Sequence, residues 1–254
     1  MSNQFEYEDN LENIARTYHL GSQQDMYIEE AGQEYEWPWI AQRIQEKSRI
    51  LDLGYGDGHS FNNLKRDAEA KDWQITLVEG ASSLVSIAQL NASERIKVEH
   101  AFFENFTSSE TFDVIIASHV LEHVEDPVAL LKHFRKLLSK NGIIIGIVPN
   151  RESIHRRLAV ILGIQPYLDS LSDRDHLVGH RRVYSLETLA SDFRMSGWRM
   201  LESRGFFLKP FANSQLLNFD LKVINSLLRI SDDLPVEMCA NIAFVCQSED
   251  NEGL

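Results

Sequence analysis

The amino-acid sequence indicates an α/β protein with a doubly wound, mostly parallel sheet, an N-terminal helical cap and a lid insertion. Between residues 48 and 150, short apolar runs alternate with segments of helical periodicity, a spacing typical of strands joined by crossover helices. The chain has 254 residues, of which 43% are hydrophobic, so one domain with a lid can bury most of its apolar surface. We find no internal repeat and no low-complexity tract.

Five of the apolar runs are strand candidates: residues 49–54, 75–80, 96–101, 112–120 and 142–149. Helical patterns lie between them at residues 60–71, 82–92 and 127–139. The third helix has a clear start, because Asp126 is a good N-cap residue and Pro127 fits the first helical position. Asn141 and Gly142 are expected to stop it.

The segments on either side of this core have a different texture. Residues 1–47 predict a helical cap, and residues 151–184 interrupt the alternation with an apolar helix at 158–164 and a polar stretch at 169–180. Residues 169–175 are rich in Asp and Ser, which indicates a solvated, mobile loop. We therefore interpret 151–184 as a lid insertion over the active-site end.

The C-terminal part, residues 185–254, returns to the pattern of a sheet. A helix at 186–195 and a strand at 199–207 precede an irregular helix at 214–228 and a strand at 237–247. Seven strands result. Because no regular crossover helix joins the last two, the last strand is predicted to be antiparallel.

Charge and hydropathy exclude several classes of function. The net charge is −13, whereas a nucleic-acid binder normally presents a basic face, so no nucleic-acid partner is expected. Two local basic clusters, residues 155–157 and 180–182, are the exceptions to examine. No apolar stretch approaches the ~20 residues of a bilayer span, and the N-terminus is acidic rather than signal-like. We expect a cytoplasmic protein.

A glycine-rich turn follows the first strand. Gly54, Gly56 and Gly58 allow a tight turn and a close approach of backbone to ligand, and the helix that follows directs free N–H groups to the same place. A dinucleotide fingerprint would require a glycine where His59 stands. S-adenosylmethionine (SAM) has a ribose diol instead of a pyrophosphate. Glu79, at the end of the second strand, offers two carboxylate oxygens to that diol.

In these motifs the chain resembles the class I SAM-dependent methyltransferases. Residues 51–58 (LDLGYGDG) match the first motif of that family, 77–79 (LVE) the second, and 118–124 (SHVLEHV) the segment after strand four. The resemblance is firm over about 45–150 and looser beyond. It implies a Rossmann-like sheet, a SAM-binding core at 48–150, and S-adenosylhomocysteine (SAH) as product.

The resemblance also implies which residues contact the cofactor. Asp52 and Gly54 would lie under the methionine part, Glu79 on the ribose, and Ser118 with His119 near the sulfonium. An Asp that often binds adenine is replaced by the run 100–104 (HAFFE), so adenine would rest on Phe102 or Phe103. Tyr55 stands where the family usually has a small residue. The full predicted set is Asp52, Gly54, Tyr55, Gly56, Gly58, Glu79, Gly80, Ala101, Phe102, Phe103, Ser118 and His119.

Methyl transfer to oxygen or nitrogen also releases a proton, which calls for a base with a pKa near neutrality. Histidine fits, and His180 and His119 are the predicted catalytic residues, with His123 a weaker candidate. Some relatives, among them quinone and small-RNA end methyltransferases, bind a divalent metal through E-x-x-E-H. Here the run is H-x-x-E-H, from His119 to His123, a set that shifts preference away from Mg²⁺. We predict no metal.

The function predicted from these observations is SAM-dependent methylation of an oxygen or nitrogen of a small-molecule acceptor: a sugar, a lipid-like compound or a secondary metabolite. Two alternatives stay open. One is an RNA or protein methyltransferase, which the net charge disfavours. The other is a SAM-binding protein without turnover. A homodimer is compatible with the sequence.

Overall fold

One seven-stranded sheet organises the computed structural model, which describes residues 2–21 and 24–249, with side chains from residue 8 onward. Its strands are β1 (Arg49–Leu53), β2 (Gln74–Glu79), β3 (Ile96–His100), β4 (Phe112–Ser118), β5 (Leu138–Pro149), β6 (Trp198–Phe206) and β7 (Asn241–Ser248). The order is β3-β2-β1-β4-β5-β7-β6. Strands β1 to β5 pair in parallel, and β7 is antiparallel to both β5 and β6. The predicted doubly wound sheet with an antiparallel last strand is confirmed.

Helices cover both faces of the sheet, and two further helices form the N-terminal part before β1. They are α1 (Ser2–Ile14), α2 (Met26–Ala41), α3 (His59–Lys71), α4 (Ser82–Asn91), α5 (Pro127–Arg135), α6 (Ile154–Ile161), α7 (Asp173–Leu177), α8 (Leu186–Met195), α9 (Asn213–Leu216) and α10 (Leu221–Arg229). A single π-helical turn, Ala15–His19, continues α1. None of the helices in the described ranges combines the length and apolar character needed to cross a bilayer.

The core lies on both sides of the sheet because successive strand residues point to opposite faces. Ile50 and Leu51 are neighbours in β1, and both have no exposed surface. Ile50 belongs to a cluster with Trp37 and Trp73, whereas Leu51 packs in a second cluster that contains Phe134. The central strands are therefore buried on both faces, as expected for a parallel sheet that is covered on both sides.

One predicted boundary is wrong at the junction of α5 and β5. The helix ends at Arg135 rather than at residue 139, and β5 begins at Leu138, four residues before Gly142. The N–H of Phe112 donates to the Leu137 carbonyl at 2.8 Å, and Leu138 pairs with Phe112. Residues whose local sequence favours a helix thus form a strand, because they pair with β4.

Smaller corrections concern the lid and the C-terminal part. The lid helix is α6, which begins four residues earlier than predicted. The predicted irregular helix is divided into α9 and α10. Asp220 causes the second start, since its side chain accepts from the Lys222 N–H at 2.7 Å. Strand β7 begins at Asn241 because Val236–Met238 forms a 3-10 turn. The division into four segments stays a prediction.

Candidate active site

A cavity of about 1070 Å³ opens at the carboxyl ends of β1, β2 and β4. Gly54, Gly80 and His119, each the residue directly after one of these strands, line its floor. The N-terminal cap, residues 155–181 of the predicted lid and the segment after β6 all contribute to its walls. In open α/β sheets, ligands bind at this edge.

The glycine-rich turn, residues 54–58, forms the cavity floor next to β1. Gly54, Gly56 and Gly58 have φ angles of 85°, 56° and 85°, in the left-handed region that residues with a Cβ rarely adopt. The Gly54 N–H donates to Val78 at 2.9 Å, which ties the turn to β2. A Cβ on Gly56 would lie 3.9 Å from the His19 ring, on the face of the turn that lines the cavity.

Two buried carboxyl groups lie next to this turn, near the ends of β1 and β2. Glu79 accepts from the Tyr55 N–H at 2.8 Å and from the Ala81 N–H at 2.7 Å, one bond to each oxygen. Asp52 is 2% exposed, and its Oδ2 has no hydrogen-bond partner in the described part of the chain. Burial raises the pKa of Asp52 to about 8, with a backbone N–H of Leu53 opposing, and burial also raises the pKa of Glu79.

Two aromatic rings lie beside the ends of β1 and β2. The Phe103 ring would lie 3.7 Å from a Cβ on Gly54, and the Phe102 ring 3.2 Å from one on Gly80. The Ala101 N–H donates to the Glu79 carbonyl at 3.0 Å. Tyr55, which also belongs to the predicted cofactor-binding set, is buried, and its ring centroid lies 5.1 Å from that of a core phenylalanine. Its side chain packs beneath the turn.

His119 follows Ser118 at the end of β4 in a strained backbone conformation. Its φ of 54° costs on the order of 1–3 kcal/mol in a residue with a Cβ. Its Nδ1 lies 3.2 Å from Oε1 of Glu122, a fully buried carboxylate. Burial opposes the charged imidazole, but the hydrogen bond and charge of Glu122 outweigh it and raise the pKa of His119 to about 9. His119 is therefore charged at neutral pH, which does not suit a base.

The acidic and imidazole groups next to His119 form a cluster that differs from the H-x-x-E-H run weighed in the sequence analysis. Among the described residues, the ligand atoms of Glu122, His123 and His180 lie within 4.8 Å of one another. His119, which belongs to the H-x-x-E-H run, is outside this group, and His180 is in its place. Burial lowers the pKa of His123 to about 4, and this ring is neutral at physiological pH.

His180 is held by a carboxylate that the sequence analysis missed. Its Nδ1 lies 2.8 Å from Oδ1 of Asp175, and the other carboxylate oxygen accepts from Arg156 at 2.6 Å. Asp175 is 6% exposed, so the prediction of a solvated loop over 169–175 is wrong for this residue. Ser172 and Asp175 form a capping box that starts α7. Burial alone raises the pKa of Asp175, but its bond to His180 and the Arg156 charge hold that pKa well below its usual range.

One arginine of each basic cluster, Arg156 and Arg182, has a structural role. Arg156 is buried in the ion pair with Asp175, with side-chain exposures of 7% and 8%. Arg182 donates to the carbonyls of Leu121 and Glu125, each at 2.9 Å, and fastens the loop after β4. These two guanidinium groups are bound by partners within the protein.

Comparison with known proteins identifies the family. A family model described as a methyltransferase domain matches residues 30–203, well over half of the chain, so the chain belongs to this family. A ubiquinone biosynthesis O-methyltransferase of Actinobacillus pleuropneumoniae serotype 7 is 25% identical over 194 residues, 70% of this chain and 80% of that protein.

Solved structures show the same fold. A SAM-dependent methyltransferase from Thermotoga maritima superposes with a TM-score of 0.62 at 17% identity and covers 94% of this chain and 99% of that one. Another, from Mesorhizobium loti, has a TM-score of 0.60 at 16% identity, with coverages of 84% and 97%. The predictions of a SAM-dependent methyltransferase and of SAM as cofactor are confirmed.

Proposed function

We propose that this methyltransferase methylates a hydroxyl oxygen of a small acceptor, with His180 as the general base. The observation that carries the proposal is the bond between His180 Nδ1 and Asp175. A neutral hydroxyl is a weak nucleophile and gains most from a positioned base, whereas a neutral amine attacks without one and loses its proton afterwards, so a base held in one orientation favours oxygen. The O-methyltransferase named among the relatives agrees with this choice.

The residues around the glycine-rich turn fit SAM. Three glycines with positive φ leave room for a ligand close to the backbone, and the unpartnered, buried Asp52 oxygen suits a cationic group. SAM supplies an electrophilic methyl group and needs no further activation by the protein. In our proposal Glu79 binds the ribose, Phe102 and Phe103 enclose the adenine, and the end of the cavity near Ser118 and His119 receives the methyl-bearing part.

The base acts through the other nitrogen of its ring. Because Asp175 accepts from Nδ1–H, the lone pair of the neutral His180 ring is on Nε2. That atom lies 4.0 Å from Oε1 of Glu122, beyond hydrogen-bond distance, so it is available to an acceptor hydroxyl. Asp175 then stabilises the imidazolium that forms when the proton is taken up, as in other carboxylate–histidine pairs.

The shape of the cavity favours a small acceptor. Its volume of about 1070 Å³ suits a small molecule together with the cofactor, and walls on several sides leave a macromolecular substrate little access. The net charge of −13 argues further against RNA. A cytoplasmic location and a homodimer remain predictions.

Paired acceptors test the choice of oxygen. Hydroxylated aromatic and aliphatic compounds are assayed beside their amino counterparts, with methyl-labelled SAM and mass spectrometry of the products. We expect methylation of hydroxyl compounds and at least about tenfold lower kcat/KM for the amines. Methylation confined to the amines would overturn the proposal.

Replacing Glu79 by alanine tests the ribose site. Loss of two charge-assisted hydrogen bonds is expected to cost about 2–4 kcal/mol, or roughly 30- to 1000-fold in SAM affinity by calorimetry. Some of this loss comes from the turn, since Glu79 also holds the N–H groups of Tyr55 and Ala81. Glu69→Ala, at a side chain 84% exposed, is the control and should change nothing. A loss below about threefold would place the ribose elsewhere.

Removal of metal tests a second arrangement, favoured by the grouping of Glu122, His123 and His180. We expect chelation to leave activity unchanged, because the charged His119 already neutralises Glu122. Activity is compared before and after exhaustive dialysis against a chelator. A metal-dependent reaction would be established instead if the chelator removed activity and Mn²⁺, Co²⁺ or Zn²⁺ restored it. Mock dialysis without chelator, the control, should leave activity unchanged.

A further inference from the structure

Lys209 lines the cavity from the segment that follows β6. The chain leaves β6 at Phe207 with a φ of 65°, and two backbone bonds fix it there: Ala240 N–H to Phe207 at 2.8 Å and Leu208 N–H to Leu227 at 3.0 Å. The backbone at Lys209 therefore has a defined position. Lys209 is partly buried and belongs to the cavity lining.

The neighbouring cations already have protein partners. Arg174 lies 2.6 Å from Asp25 and 3.1 Å from Glu29, and it donates to the Tyr18 hydroxyl at 2.9 Å. Arg156 is held by Asp175, as described above. Lys209, by contrast, forms no side-chain hydrogen bond or ion pair with any residue in the described ranges.

The surroundings of Lys209 do not compensate its charge by contact. Burial lowers the pKa of Lys209, Arg174 and Arg156 add to the lowering, and Glu29 and Asp25 oppose it from a distance. Both carboxylates are already bound by Arg174 and by the Asn213 amide, at 2.9 Å to Asp25 and 2.6 Å to Glu29. An ammonium held inside a protein without a partner is destabilising, so its presence at a ligand cavity calls for an anionic ligand group.

We propose that Lys209 binds a carboxylate of the acceptor, so that the acceptors of this enzyme are hydroxylated monocarboxylic acids. The inference rests on the proposed function. A single ammonium matches the single negative charge of a carboxylate, since the arginines beside it are already paired with Asp25, Glu29 and Asp175. The carboxylate at Lys209 and the hydroxyl at His180 then fix the acceptor at two points, which orients it for reaction.

The test measures binding to the SAH complex by calorimetry, without turnover. The probes are 3- and 4-hydroxybenzoate, 4-hydroxycinnamate and a 3-hydroxy fatty acid, each beside its primary amide. We expect at least one acid to bind tighter than its amide, and Lys209→Met to weaken that acid about 10- to 100-fold with no effect on the amide. Lys209→Arg should restore part of the affinity. Lys222→Met, at an exposed lysine of α10, is the matched control.

Thermal unfolding gives a second readout. A lysine retained for a ligand destabilises the ligand-free protein, so Lys209→Met should raise its Tm by about 2–4 °C, whereas a structural lysine would give a fall. If amides bind as well as acids, or if Lys209→Met weakens both alike, the inference is overturned. The proposed function is judged separately, because methylation of neutral hydroxyl compounds would survive that result and a complete lack of hydroxyl methylation would not.

Discussion

Replacing His180 by alanine should lower kcat by about 100-fold or more while SAM affinity stays nearly unchanged. Loss of a positioned general base typically costs this much. His180 is bonded to Asp175 through Nδ1, whereas the glycine-rich turn is held by bonds to Glu79 and Val78. Steady-state kinetics at saturating acceptor, with calorimetry of SAM binding beside it, measure the two quantities separately.

Three further variants define the role of His180. His180→Gln should be about as impaired as alanine, since it keeps hydrogen bonding but cannot take up a proton. Asp175→Asn should also lower kcat, because it removes the carboxylate that orients the ring and pairs with Arg156. His176→Ala, at an exposed histidine of the same helix, is the control. If the His180 variants raise only KM and leave kcat unchanged, His180 positions the acceptor and is not the base.

Replacing Gly56 by valine should abolish SAM binding. The φ of 56° is strained for any residue with a Cβ, and the added side chain would enter the cavity above the glycine-rich turn. Calorimetry with SAM and with SAH measures the effect. Both titrations should give no detectable heat, while far-UV circular dichroism remains that of the wild type.

Gly163→Val separates the effect of a side chain added inside the cavity from the effect of a strained φ angle. Gly163 has a φ of 70°, so valine pays a similar conformational cost, but nothing lies within 4 Å of its Cβ position. Gly163 also lies outside the cavity lining. We expect this control to lose some stability and no SAM affinity. Unchanged affinity in Gly56→Val would show that the turn does not hold the cofactor.

The parts of the fold that could be predicted are those with local signals. Each parallel strand is a short apolar run, and Gly54, Gly56 and Gly58 mark the turn after β1 because only glycine adopts these φ angles without cost. The prediction of the α5–β5 boundary was wrong because the deciding contact there is not local. Residues 136–139 favour a helix locally, and the pairing of Leu138 with Phe112, distant in sequence, decides their conformation.

The candidate site shows the same division. His180 could be singled out by residue type, but Asp175 could not, because an acidic residue in a polar stretch normally indicates solvent exposure. Its burial follows from Arg156, which is 19 positions away and belongs to another helix. Lys209 gave no signal in the sequence. Its importance depends on a contrast in the folded protein: the neighbouring arginines have ion-pair partners, whereas Lys209 has none among the described residues. Such features follow from tertiary packing and need a structure.

A crystal structure of the SAH complex tests the central claim most directly. The claim is that the cofactor lies on the glycine-rich turn and directs its sulfur toward the end of the cavity that holds His180. We predict ribose hydroxyls within hydrogen-bond distance of Glu79, adenine against Phe102 or Phe103, and a sulfur separated from His180 Nε2 by the space of one acceptor group. A complex in which the sulfur points away from His180, or in which Glu79 makes no contact with the ribose, would contradict it.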